Sequence, residues 1–135
     1  MPVWTFCDYL DERGSNPIRA WLDSLPIEAE AKVAARIRYL RGTMNWPPPY
    51  ISAMKGQAGL MELRIVSSGV QYRPLGFHGP GRFQFTLVHG VVEKGGKLPR
   101  SALDVAANRI KIVRMDPRRS CEHDIRARSS GHDAS

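Results

Sequence analysis

Residues 60–99 read LMELRIVSSGVQYRPLGFHGPGRFQFTLVHGVVEKGGKLP. In Leu60–Val66, Met61, Leu63 and Ile65 alternate with Glu62, Arg64 and Val66, the period-2 pattern of a strand with one buried face. Ser67-Ser68-Gly69 supplies a turn, and Val70–Phe77 reads as the returning strand. Pro74 and Gly76 fit a strand poorly, so an edge position or a bulge is expected there. His78-Gly79-Pro80-Gly81 is a second turn signal, and Arg82–His89 (RFQFTLVH) is the strongest strand candidate in the chain. Residues 90–97 begin as a continuation of that strand and end in a loop at Gly95-Gly96. The unit reads as a small antiparallel sheet, with Leu63 and Ile65 turned towards whatever covers it.

The flanks supply the cover. Val3–Cys7 (VWTFC) is β-branched and aromatic and reads as a strand, and residues 8–15 are polar and turn-like. Asn16-Pro17 is a helix start, followed by Ile18, Trp21, Leu22 and Leu25 at helical spacing. Ser24 and Pro26 restart a second helix with the apolar face Ala29/Val33/Ile37/Leu40, ended by Gly42. Arg36, Arg38 and Arg41 fall mostly off that face, on solvated helix surface. Residues 43–59 contain three consecutive prolines after Trp46 and read as a loop, with Trp46 as a lid over the core and Lys55 near the loop's end. Pro99 and Ser101-x-x-Asp104 open a third helix with a capping-box-like pattern and a buried face of Leu103, Ala106, Ala107, Ile110 and Val113. From residue 114 apolar residues almost vanish, so 114–135 is expected to be a disordered polar tail behind a single domain of residues 1–113. The fold class is α+β: a helical pair on a small antiparallel sheet, with a C-terminal helix.

The chain has 135 residues and a net charge of +7. Residues 1–54 are balanced, whereas residues 55–112 carry nine Lys/Arg against Glu62, Glu93 and Asp104. An excess confined to the half that holds the sheet points to a polyanionic partner. Cys7, in an apolar run, reads as a small core residue, and Cys121 lies in the polar tail. The four histidines have no Cys or carboxylate at metal-ligand intervals, so neither a metal nor another cofactor is expected. No apolar run approaches the length of a membrane span and the N-terminus does not read as a leader; a cytoplasmic protein with no membrane partner is expected.

Cations on sheet strands suit a phosphodiester backbone, and the same groups can stabilise the charge that grows as a phosphate is cleaved. Cleavage of RNA without a metal uses the 2′-hydroxyl as the nucleophile. His89 is the natural proton carrier, Arg64 and Arg73 offer planar forks for phosphate oxygens, and Lys94 and Lys97 sit on a loop able to close over the backbone. Tyr72 is a candidate for stacking on a base, and Lys55, Arg82 and Arg100 for further RNA contacts.

The ordered set Glu62-Leu63-Arg64, Gln71-Tyr72-Arg73, His89-Gly90 and Lys94–Pro99 resembles the RelE/HigB superfamily of toxin–antitoxin toxins, closest to its phage-derived HigB-like branch. That branch shows an ELR strand, a QYR strand and HG followed by KxxKTP, and the resemblance spans about Val3 to Val113. Glu93 stands where a basic residue is common. The resemblance implies a RelE-like α+β toxin that cuts messenger RNA on the ribosome without a metal. It also implies a cognate antitoxin, usually a helix-turn-helix DNA-binding protein. By position Arg73 resembles the arginine at the scissile phosphate, Lys94 falls near a second basic position and Arg64 near a third; His89 has no settled role. Two alternatives stay open: a ParE-like toxin directed at DNA gyrase, and a non-catalytic RNA- or ribosome-binding module.

Overall fold

A computed structural model describes residues 2–57, 59–93 and 95–125. The elements run β1 (Thr5–Tyr9), α1 (Pro17–Asp23), α2 (Ile27–Arg41), β2 (Ile51–Ala53), β3 (Met61–Leu63), β4 (Ile65–Ser67), β5 (Val70–His78), β6 (Gln84–Glu93), α3 (Arg100–Met115), a single 3-10 turn (Pro117–Arg119) and β7 (Ser120–Glu122). They build one sheet in the order β2-β3-β5-β6-β1-β7, with β4 beside β5. The fold is α+β, and the sheet is mostly antiparallel.

The 60–99 stretch forms the centre of that sheet. Leu63 and Ile65 are buried against α1 and α2, as the alternation requires. Leu63 and Ile65 belong to two strands, not one. β3 pairs with β5 through Met61 and Glu62, and β4 pairs with it through Ile65, Val66 and Ser67. Between them the carbonyl of Arg64 leaves the ladder and accepts a hydrogen bond from Arg36 of α2 (3.1 Å). The β4–β5 turn has both central residues, Ser68 and Gly69, at positive φ (52° and 77°), the geometry of a tight two-residue hairpin.

β5 is a central strand, so the edge expected from Pro74 does not exist; the bulge does. The register passes from Leu75↔His89 to Gly76↔Leu87, which leaves Val88 as the extra residue on β6. Its freed carbonyl accepts from Arg109 of α3 (2.8 Å). Gly90 is required by close approach, because any Cβ there would overlap the indole of Trp21 on α1.

The two faces of the sheet carry separate cores. α1 and α2 cover one face with Ile18, Leu22, Val33, Ile37 and Leu40 over Phe6, Leu63, Tyr72 and Phe85. α3 covers part of the other with Ala102, Ala106, Ile110 and Val113 over Leu75, Phe77, Val88 and Val91. Trp46 packs on the first core as a lid, its indole N–H donating to the carbonyls of Leu40 (2.8 Å) and Thr43 (2.9 Å). Asn16 caps α1 by accepting from the Arg19 amide (2.9 Å). The capping box expected at α3 is absent: that helix follows Pro99 with no side-chain cap, as α2 follows Pro26 with none.

Three parts of the sheet were not expected. β2 pairs with β3 inside the stretch read as loop, and β1 runs parallel to β6. The third part is β7. The tail expected to be disordered from residue 114 is structured to Ile125, because β7 pairs with the outer edge of β1 (Cys7↔Glu122, Asp8↔Cys121). Polar residues hold it there. Nδ1 of His123 lies 2.7 Å from Oδ1 of Asp8, both nearly fully buried, and Arg119 donates to the Leu10 carbonyl (3.0 Å) and the Tyr9 hydroxyl (3.1 Å). A short edge strand anchored by backbone pairing and a buried polar pair needs no apolar run. Residues 126–135 of the expected tail lie outside the described residues. Among the described residues no helix is long and apolar enough to cross a membrane.

Candidate nucleic-acid interface

Strand register sorts the candidates by face. Leu75 and Phe77 lie beneath α3, so Arg73, two residues before Leu75 on β5, shares their side of the sheet. His89 on β6 and Glu62 on β3 both pair with Leu75 and share it too. Arg64 follows Glu62 by two residues and joins them through a hydrogen bond to Glu62 Oε2 (2.8 Å). The sheet therefore brings Arg64, Arg73 and His89 onto one face, beside the Gly95-Gly96 loop and the first turn of α3. Lys97 and Arg100 follow that loop and are exposed, with Arg100 3.4 Å from Asp104 of its own helix. Lys55 is exposed in the turn next to Met54, which packs on the α3-side core. Lys94 lies outside the described residues.

Two candidates lie elsewhere. Tyr72 is buried in the core under α1 and α2, on the opposite face from Arg73, and has no exposed ring to offer a base. Arg82 sits before β6 at the far end of that strand from Glu93, its guanidinium 5.2 Å from the Phe83 ring.

Arg73 is not a free cation. Its side chain is 5% exposed and is engaged on all sides by protein. It donates to Gln71 Oε1 (2.7 and 3.2 Å), Glu62 Oε1 (3.4 Å) and the Gly96 carbonyl (3.3 Å), and lies 4.0 Å from Glu93 Oε1. Glu62 thus bridges the two arginines, one through each oxygen. Glu93 accepts from the backbone N–H groups of Gly95 (3.0 Å) and Gly96 (2.7 Å). Arg64 is the accessible guanidinium, with 49% of its side chain exposed. Two buried carboxylates against two guanidiniums leave little net positive charge at the centre of the cluster; the local excess comes from exposed Lys97 and Arg100 around it.

His89 is half-buried, and burial first, then the charge of Arg109, holds its imidazole below the ordinary value of 6.5. The ring is therefore uncharged at neutral pH and able to accept a proton. Burial, reinforced by Asp8, pushes the Cys7 thiol up to about 11, which makes it inert as a nucleophile at neutral pH. Among the described residues no three His, Cys, Asp or Glu side chains gather as ligands for a metal ion.

The residues missed in the sequence are Gln71 and Glu93, partners of Arg73, and Arg109; Glu62 was legible as a partner of Arg64 but not of Arg73. For Glu62 and Gln71 the signal was present: each stands two residues before an arginine on the same strand side.

A family profile described as phage-derived protein Gp49-like (DUF891) matches residues 20–111, from α1 into α3. The chain belongs to the Gp49-like family. That family falls in the RelE/HigB-like group of toxin–antitoxin toxins, and its membership implies a cognate antitoxin as partner. A comparison with curated proteins finds no match. The Gp49-like match covers the end of α1, all of α2, β2 to β6 and most of α3, so every residue of the Arg64/Arg73/His89 cluster lies inside it.

Proposed function

We propose that this Gp49-like chain is an endoribonuclease toxin that cleaves messenger RNA on the ribosome, in the cytoplasm, and is neutralised by a helix-turn-helix antitoxin. The observation that carries the reading is the placement of a half-buried imidazole, held below its ordinary value, on the same sheet face as the Arg64 and Arg73 guanidiniums. The RNA supplies the nucleophile, its 2′-hydroxyl. His89 accepts that proton as the O2′–P bond forms, Arg64 and Arg73 meet the charge growing on the non-bridging oxygens, and the P–O5′ bond breaks with the departing 5′-oxygen taking a proton from water. Lys97 and Arg100 hold the flanking backbone.

Mapping messenger RNA ends after induction of the chain, with and without ribosomes, tests the proposal. New ends that depend on His89 and Arg64 support it. Toxicity with intact messenger RNA and impaired supercoiling by gyrase transfers the chain to the ParE-like reading. The capture of Arg73 by two carboxylates favours a second reading, a module that binds RNA without turnover. RNA binding with no cleavage by the wild type selects it.

A further inference from the structure

Glu93 closes β6, and its carboxylate is almost sequestered, with 7% of the side chain exposed. Two donors and a cation surround it: the N–H groups of Gly95 and Gly96 at 3.0 and 2.7 Å, and, beyond hydrogen-bond reach, the Arg73 guanidinium at 4.0 Å. Gly96 has a second tie, since its carbonyl accepts from Arg73 at 3.3 Å. The residue that presents an amide to the carboxylate is thus also tied, through its carbonyl, to the guanidinium that lies behind it. These are the surroundings of a bound oxyanion, and they are filled by a side chain of the protein itself.

We propose that the Gly95 and Gly96 amides with the Arg73 guanidinium form a binding site for a phosphodiester of single-stranded RNA, which Glu93 occupies until the RNA displaces it. The inference rests on the reading of this face as the RNA site and adds to it two backbone donors and a competing internal anion. A phosphodiester carries one negative charge on two non-bridging oxygens, as a carboxylate carries one on two, so the exchange never leaves Arg73 buried without an anion. Glu62 and Glu93 together supply the anions beside a guanidinium 5% exposed in the RNA-free chain. The loop offers room for the exchange. Gly95 and Gly96 are exposed; a Cβ on Gly95 would meet only Glu93 at 3.7 Å, and one on Gly96, at φ +103°, would meet nothing within 4 Å. Glu62 differs, because it lies on a paired strand with both oxygens bound to arginines, and it stays in place as the positioning group for them.

Two measurements on the full chain test the site. The first is binding of a short mixed-sequence 2′-O-methyl oligoribonucleotide, which cannot be cut, to the wild type and to Glu93→Gln, by fluorescence anisotropy. The second is the movement of the Gly95 and Gly96 amide resonances of the wild type on titration with that oligonucleotide and, separately, with inorganic phosphate. Removal of the competing charge is expected to tighten binding roughly five- to tenfold, and both glycine resonances are expected to move with the oligonucleotide. Unmoved glycine resonances at saturation overturn the site whatever Glu93→Gln does, and so does binding by a folded Glu93→Gln no tighter than the wild type. Movement with inorganic phosphate but not with the oligonucleotide overturns the RNA assignment. Should Glu93→Gln fail to fold, the wild-type titration decides alone. A wild type that moves its glycines but never cuts RNA loses the nuclease reading and keeps the site; one that cuts RNA with its glycines unmoved does the reverse.

Discussion

Two of the buried polar clusters in this chain, one at the β1–β7 edge and one on the α3 face, are built differently. At the β1–β7 edge the Asp8 carboxyl group is held by His123 on one oxygen and by the Asn16 amide (2.9 Å) on the other, and both Asp8 and His123 are almost fully buried. On the α3 face Glu62 is buried just as deeply, but one of its two arginines, Arg64, is half in solvent, and the loop beside it is exposed. The first cluster is closed, with each carboxyl oxygen matched by a partner from the same chain. The second opens to solvent on one side, where an anion from outside can enter. Burial of charge alone does not mark a functional site; a buried network with an accessible member does.

The largest expected effect separates the clusters by what Arg73 does for stability. Arg73→Ala would leave Glu93 beside no guanidinium and Glu62 with Arg64 alone, at a cost of about 3–5 kcal/mol. Urea denaturation reads this, and a loss of activity in that variant therefore reports unfolding as well as chemistry. His123→Ala in the closed cluster is expected to cost about 1–3 kcal/mol by leaving Asp8 short of a partner, while the protein that stays folded cleaves RNA at the wild-type rate. A cleavage defect in folded His123→Ala would erase the distinction between the clusters.

Arg73→Lys sharpens the comparison. It keeps the charge against both carboxylates but lacks the planar fork, so the fold should persist while cleavage slows by roughly tenfold or more. Smaller still is the effect of pH on His89. Its folded-state value lies below 6.5, so the neutral imidazole persists to lower pH than a free histidine, and the acid limb of the cleavage profile should fall below 6.5. The unfolded chain takes up this proton first as pH falls through 6.5, so this group withdraws stability on the acid side and none above it. Arg109→Gln should move the limb upward, as read from cleavage rates across pH. The smallest effects belong to Tyr72→Phe and Arg82→Ala, each expected to leave cleavage unchanged, because one lies under α1 and α2 and the other at the far end of β6.

Features that rest on local alternation were legible in the sequence. Leu63 and Ile65, the helical faces of α1 and α2, the Asn16 cap and the tight turn at Ser68-Gly69 depend on residues a few positions apart. Partners set by register across the chain were not. Leu75 brings Glu62 and His89 to one face from strands 27 residues apart in sequence, and the capture of Arg73 by Glu62 follows from that pairing, not from spacing. The same reasoning excludes Tyr72: adjacent to Arg73 in sequence, it must point to the other face. β7 was illegible for a different cause, since its stability comes from the edge of β1 and a buried polar pair, neither of which leaves an apolar pattern.

The β1–β7 pairing also constrains how the protein is made. β1 meets both of its neighbours late in chain order: β6 and β7 begin only at Gln84 and Ser120. Until then β1 presents two unpaired edges, a state open to wrong partners. A nascent chain halted before Ser120 leaves Asp8 without His123, so completion of the sheet acts as a checkpoint that a chain passes only once residues 120–123 are made.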